Sequence, residues 1–184
     1  MSKFRIFKEQ PLNHNYLNPQ KEKIKSFFQQ KSEKELLDIK EDYVNELMEE
    51  YKMVIPQLEY ENIHYEINED DNYDIYIFKI PFIGKNIDYF KLEPPEGLMW
   101  SRDVYIKGQD LCFEIYDTQI SVGEMIRKYK GTVKKINERS DYVNKVIELL
   151  NEDLKGFIEG EFNKRSKRIL NRKKKITALD LPQD

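Results

Sequence analysis

The chain has 184 residues, with 31 Lys and Arg against 34 Asp and Glu, for a net charge of −3. At 39% apolar and 35% charged it is polar for a globular protein, but 12 Tyr and 10 Phe argue against disorder, and the length suits one domain or one domain with an appendage. A single Cys excludes an internal disulfide and any multi-cysteine metal site.

Residues 1–20 read as an irregular lead in which Phe4 and Ile6 alternate with charge as a short strand would. The start "MSKFRIFKEQ" has no apolar run after its first charges, so no signal peptide is expected. Asn18-Pro19 reads as an N-cap with Pro at the first helical position, opening a short amphipathic helix that buries Ile24, Phe27 and Phe28. Ser32 and Glu35 match a capping box at the head of a second helix with a broad apolar stripe through Leu36, Leu47 and Tyr51. Its acidic side, including Glu46, Glu49 and Glu50, reads as a solvated face.

From Pro56 the period changes to two. "LEYENIHYEI" predicts one bulged strand or two, and "YDIYIFKI" predicts a central strand, apolar on both faces. "PFIGKN" is expected to break it, "IDYFKL" to form another strand, and "EPPEGLMW" to be a Pro-rich loop. "DVYIKGQDLCFEIY" predicts a hairpin with Gly108-Gln109 as a type II′ turn, Val104 and Ile106 on one face, and Leu111, Phe113 and Ile115 on another.

After Thr118 the period is helical again. Ile126, Tyr129, Val133, Ile136, Ser140, Val143, Ile147, Leu150, Leu154 and Phe157 are spaced alternately by three and four, a heptad seam interrupted only by Ser140. One helix over 121–173 would be about 80 Å long. That is more than a compact chain of this size needs, so an antiparallel helical hairpin turning near "NERSD" is preferred over a long coiled-coil-like helix. Either arrangement makes the seam an association surface, inside the chain or toward a protein partner. Its nine apolar members are the candidate partner-binding residues.

The expected fold class is therefore α+β: N-terminal helices, a small mostly antiparallel sheet, and a long C-terminal helix or helical hairpin. The segments are a lead over 1–20, an α+β core over 21–117, the helical part over 118–175 and a tail over 176–184.

No catalytic constellation emerges. His14 and His64 are isolated, Cys112 reads as packing, and no Gly-rich phosphate loop is present. Asp70, Asp71 and Asp74 offer hard oxygen ligands for a divalent cation, but their spacing fits a solvated turn better. Asp74 and Glu114 on neighbouring strands are the best candidates for a metal-dependent nuclease, without the expected Lys at 116. Trp100 reads as closing the core, or, with Arg102, as an exposed interface anchor. No metal or cofactor is expected.

The charge is unevenly placed. Lys164, Arg165, Lys167, Arg168, Arg172, Lys173, Lys174 and Lys175 stand against the lone acid Glu161 in residues 160–176, a local +7 that leaves −10 for the rest of the chain. Lys164, Lys167, Arg168, Arg172 and Lys175 share one helical face that can track the phosphates of DNA or RNA. The competing roles are contact with an acidic helix and a helix end favoured by the macrodipole. These features point to a non-enzymatic accessory or adaptor subunit that docks a protein partner, or itself, through its C-terminal helices and touches nucleic acid through its basic end. The alternatives are the nuclease and a module sensing a ligand or peptide with its aromatic sheet. The single thiol fits the cytoplasm. No membrane role is expected. The richness in Lys, Asn, Ile and Tyr suggests a prokaryotic or phage gene, with phage defence as one setting.

Overall fold

The structure, a computed structural model, describes residues 2–13, 15–38, 42–69, 73–93 and 100–179. Two short strands, β1 (Phe4–Arg5) and β2 (Gln10–Pro11), precede three helices, α1 (Asn18–Gln30), α2 (Glu33–Asp38) and α3 (Asp42–Tyr51). Then come β3 (Gln57–Leu58), β4 (His64–Asn68), β5 (Asp74–Ile83), β6 (Leu92–Glu93), β7 (Asp103–Lys107) and β8 (Asp110–Asp117), and last α4 (Val122–Leu179). The class is α+β, as expected. The contacts gather into two compact units. One holds residues 1–13 and 54–147 and the other residues 14–53 and 148–184, so the units interleave along the chain and cut across the four linear segments drawn from the sequence.

In the first unit the sheet runs β1-β7-β8-β5-β3, with β4 also paired to β5; all of its ladders are antiparallel, and β2 and β6 form a separate parallel pair. β5 is central, as its two-sided apolar pattern implies. "LEYENIHYEI" resolves into two strands, β3 and β4, separated by a 3₁₀ turn at Tyr60–Asn62.

Three expectations are corrected here. β5 continues through Pro81 to Ile83 and stops only before Gly84, whose φ of 135° no side-chain-bearing residue favours. "IDYFKL" is mostly a 3₁₀ turn, Ile87–Lys91, that buries Tyr89 and Phe90. The hairpin faces were also misassigned. A two-residue turn pairs Lys107 with Asp110 and hence Ile106 with Leu111, so Val104, Ile106, Leu111, Phe113 and Ile115 all share one face. Gly108 has φ of 65° and Gln109 is not left-handed, which is the II′ geometry expected. The loop 94–99 lies outside the described residues.

That shared face packs on the first part of α4. Phe78 stacks on Phe113 and on Tyr129, at ring separations of 5.3 and 4.7 Å. Arg102 ties the sheet to the helix: it donates to Thr132 Oγ1 at 3.0 Å and to the Glu114 carbonyl, and lies 5.2 Å from the Phe113 ring. Burial pulls its titration below the usual arginine range. Phe7, with φ of 54°, is fully buried edge-on against Tyr89 at 5.6 Å.

In the second unit α1 buries Ile24 and Phe28, as its pattern implies. Its cap is Leu17 rather than Asn18, which already belongs to the helix, and Pro19 sits in the first turn, where its missing N–H costs nothing. The capping box forms as expected. The Ser32 N–H donates to Glu35 Oε2 at 2.8 Å, and the Glu35 N–H to Ser32 Oγ at 3.2 Å. Asn151 of α4 clamps the chain after α3: the Met53 N–H donates to Asn151 Oδ1 at 2.8 Å, and Asn151 Nδ2 donates to the Met53 carbonyl at 3.0 Å. Glu46, Glu49 and Glu50 are exposed, so that part of the acidic side is a solvated face.

α4 is one helix of 58 residues, not the hairpin preferred from the sequence. "NERSD" does not turn, and Arg139 and Ser140 are buried within the continuing helix. The reason is that each stretch of the seam finds cover without folding back on the other. Ile136, Val143 and Ile147 are buried in the first unit, and Leu150 and Leu154, with Ile158 just past the seam, in the second.

Candidate nucleic-acid interface

The basic stretch forms the last turns of α4, in the second unit. Ile158, Phe162, Arg165 and Ile169, at steps of three and four, turn toward α1 and α2: Phe162 lies 6.4 Å from the Phe28 ring, and Arg165 donates from Nη1 to the Phe28 carbonyl at 2.9 Å. Arg165 is thus partly buried, and its guanidinium satisfies a carbonyl in the last turn of α1, where cations are favoured.

One helical step to the side, Lys164, Arg168 and Arg172 follow at intervals of four. With Arg165 they line a cleft of about 350 Å³, which Lys31 completes from the end of α1. Leu36 and Ile169 supply its apolar part, and Glu33 and Glu161 its acids. Five cations against two carboxylates make the cleft positive. Arg172 is held by Glu33 at 2.5 Å, and Lys164 stays exposed with Glu161 at 3.8 Å. Arg168 is exposed and has no ion-pair partner among the described residues.

Of the eight cations named from the sequence, the structure therefore brings four together around the cleft. Lys167, Lys173, Lys174 and Lys175 lie outside its lining and are exposed on the same helix. Lys31 and Glu33 were missed. They flank Ser32 of the capping box, and that box, by fixing where α1 ends and α2 begins, is the local signal that could have drawn attention to them. Phe162, the one aromatic within the stretch, is engaged with Phe28, so the exposed surface offers charge rather than stacking.

The seam residues have a different fate. Ile136, Val143, Ile147, Leu150 and Leu154 are buried within the chain, while Tyr129, Val133 and Phe157 are half-buried; Phe157 has the ammonium groups of Lys21 and Lys25 within 6 Å of its ring, at 5.7 and 5.9 Å. Ile126 is exposed. Eight of the nine apolar seam residues are therefore buried or half-buried within the chain, and Ile126 alone of the nine is exposed.

The other candidate centres do not assemble. Asp74 pairs with Asp117 and Glu114 with Ile77, three positions along β5, so the two carboxylates of the nuclease reading point to opposite faces of the sheet. Glu114 is occupied: Lys3 donates to it at 2.6 Å and the Tyr116 hydroxyl at 2.7 Å. Burial pushes its carboxyl up, but these bonds outweigh it and hold the group below the usual carboxylate range. Asp70 and Asp71 lie outside the described residues, as does His14. Among the described residues no three His, Cys, Asp or Glu side chains gather as a metal site would require. His64, on the surface, donates from Nδ1 to the Asn62 carbonyl at 3.3 Å. Cys112 is fully buried, and burial pushes its thiol up to about 11, the opposite of an activated nucleophile. Trp100 is half-buried, with Lys135 5.6 Å from its ring. No helix among the described residues is long and apolar enough to cross a membrane.

Comparisons with protein-family models, with curated proteins and with solved structures returned no match.

Proposed function

We propose that this chain is an accessory protein that contacts the phosphate backbone of a nucleic acid through the last turns of α4, within a larger assembly in a prokaryotic or phage setting. The observation that carries the reading is the cationic cleft of Lys31, Lys164, Arg165, Arg168 and Arg172, extended by exposed Lys167, Lys173, Lys174 and Lys175. Guanidinium groups suit phosphate because their planar forks bind two oxygens at once. Arg165 is anchored on the Phe28 carbonyl and Arg172 on Glu33, so part of the cationic set is held in place before any ligand arrives. A catalytic role has no such support, since Asp74 and Glu114 diverge. A protein partner in that assembly would use the apolar side chains that α4 leaves exposed, such as Ile126 of the seam and, beside it, Val122 and Leu149.

The test is fluorescence anisotropy with labelled duplex and single-stranded DNA and RNA. It compares the native chain with Lys164→Glu/Arg168→Glu and with Lys173→Glu/Lys174→Glu/Lys175→Glu. Each variant is expected to weaken binding by roughly tenfold or more, with little dependence on base sequence. Equal binding by the native chain and both variants would overturn the assignment, as would no binding to any of the polymers at low salt.

A further inference from the structure

In the first unit, β4 leaves one edge of the sheet open. On the side of β5 away from β8, β3 pairs with Phe82–Ile83 and β4 with Ile75–Lys79. Among the described residues no strand pairs with the outer edge of β4. Its free N–H and C=O groups are a template for a further strand, and sheets commonly guard such an edge with Lys, Pro or a bulge. β4 carries none of these over His64–Asn68, and its ladder with β5 is unbroken. Its one acid, Glu66, is turned back across the sheet, where Lys79 and Lys107 both donate to it, the latter at 3.1 Å. On the opposite face Tyr65, 5.9 Å from the Phe78 ring, is 60% exposed and Ile67 is 44% exposed. Two large apolar side chains thus stand open beside an unpaired backbone edge.

The residues of this edge are complementary to themselves. A twofold axis perpendicular to the sheet would set β4 antiparallel to β4 of a second copy, with each face of the strand continuing on its own side. With the axis at Tyr65, the two Tyr65 face each other, Ile63 faces Ile67 twice, and His64 faces Glu66 twice. Ile63 has extended backbone, with φ of −62° and ψ of 129°, so the pairing can run from Ile63 to Ile67. One face then holds only apolar and aromatic pairs, and the other sets an imidazole against a carboxylate on each side of the axis. Aromatic, apolar and charge-complementary pairs are the ones that stabilise antiparallel ladders. Moving the axis to Glu66 opposes two carboxylates, and moving it to Ile67 sets Tyr65 against Glu69. We propose that the chain forms a symmetric dimer by antiparallel pairing of β4 with β4 of a second copy, centred on Tyr65.

Sedimentation equilibrium of the full chain over about 5–500 μM tests this, because so short a pairing belongs with the small interfaces of micromolar affinity. A monomer–dimer equilibrium is expected. Ile67→Lys sets an ammonium against Ile63, and His64→Glu opposes two carboxylates. Each change acts twice across the axis and should weaken the dimer roughly tenfold. Both side chains are exposed, so either variant serves if the other melts early. Cross-linking gives a second readout. The axis brings the two Tyr65 Cα atoms to about 4.5–5.5 Å, within disulfide reach, so Tyr65→Cys should link the copies under mild oxidation. Asn68→Cys, facing residue 62 of the second copy, should not. The native Cys112 is fully buried and does not compete. A monomer at every concentration would overturn the proposal. So would a dimer that neither substitution weakens, or one that links through Asn68→Cys but not through Tyr65→Cys.

Discussion

Asn151 shows how much one side chain can hold. It sits on α4 yet completes both backbone groups of Met53, 98 residues earlier, just after α3 ends. Such groups have no helical partner of their own, and removing the amide leaves a donor and an acceptor unpaired in a half-buried position. Asn151→Ala is expected to destabilise the chain by about 2 kcal/mol, even allowing for the better helix propensity of alanine. That corresponds to a fall in Tm of about 4–8 °C. Exposed Asn163→Ala on the same helix is the control, expected to melt at or slightly above the native chain. If the two variants melt together, the clamp contributes nothing.

At the scale of elements, α2 depends on its cap. It has only six residues, too short to be stable alone, and the reciprocal Ser32–Glu35 bonds satisfy its free N–H groups. The Ser32 hydrogen bonds are the main reason the Glu35 carboxyl lies below its ordinary value of 4.5, with Lys31 helping. A depressed carboxyl stabilises the folded state fully above the ordinary glutamate range, and that contribution fades as the pH falls through the lowered value. NMR titration should therefore find the Glu35 midpoint below that of unpaired glutamates. Ser32→Ala should raise it; an unchanged midpoint would disprove the capping bonds.

α4 invites the opposite test. Gly131, Gly156 and Gly160 are exposed inside the helix, and a Cβ at any of them would meet nothing within 4 Å. Replacing all three with alanine is expected to stabilise by about 2 kcal/mol, at roughly 0.5–1 kcal/mol each, by lowering the entropy of the unfolded chain. Urea denaturation measures this directly. A loss of stability would mean that one of these positions is not open helix.

At the scale of the whole molecule, the net charge of −3 conceals its most useful property, the +7 carried by residues 160–176. A chain of the same net charge with evenly mixed signs would repel polyanions weakly at every approach; concentrating the cations on one helix end creates a local site instead. If five of them neutralise phosphates, log Kd against log salt should have a slope of magnitude about 4–5 for duplex DNA, shallower for single strands. Raising the salt fourfold would then weaken duplex binding by about 500-fold. A slope of magnitude near 1 would mean that the cations do not lie along the backbone. Charge reversal of Lys173, Lys174 and Lys175 should reduce the slope as well as the affinity, which separates phosphate contact from damage to the fold.

What could be read without a structure was what is decided within a few residues. The Ser32–Glu35 box, the Gly108-Gln109 turn, the buried face of α1 and the central place of β5 depend on capping, φ preference and apolar period, all of which are local. Periodicity also established that residues 126–157 are helical with one apolar seam. It could not say what covers that seam, because a heptad pattern is the same whether the cover is a second chain, a returning helix or the chain's own sheet. The tertiary structure decided that, and with it the choice of one helix over two. It also decided the cationic cleft and the partners of the buried Tyr89 hydroxyl. Arg165 meets Phe28 across 137 residues, and Tyr89 meets Ser140 across 51. The cations were legible because charge is written in the residue type. The hydroxyls beside Ser140 were not, because a tyrosine shows its partner only after folding has set it against one.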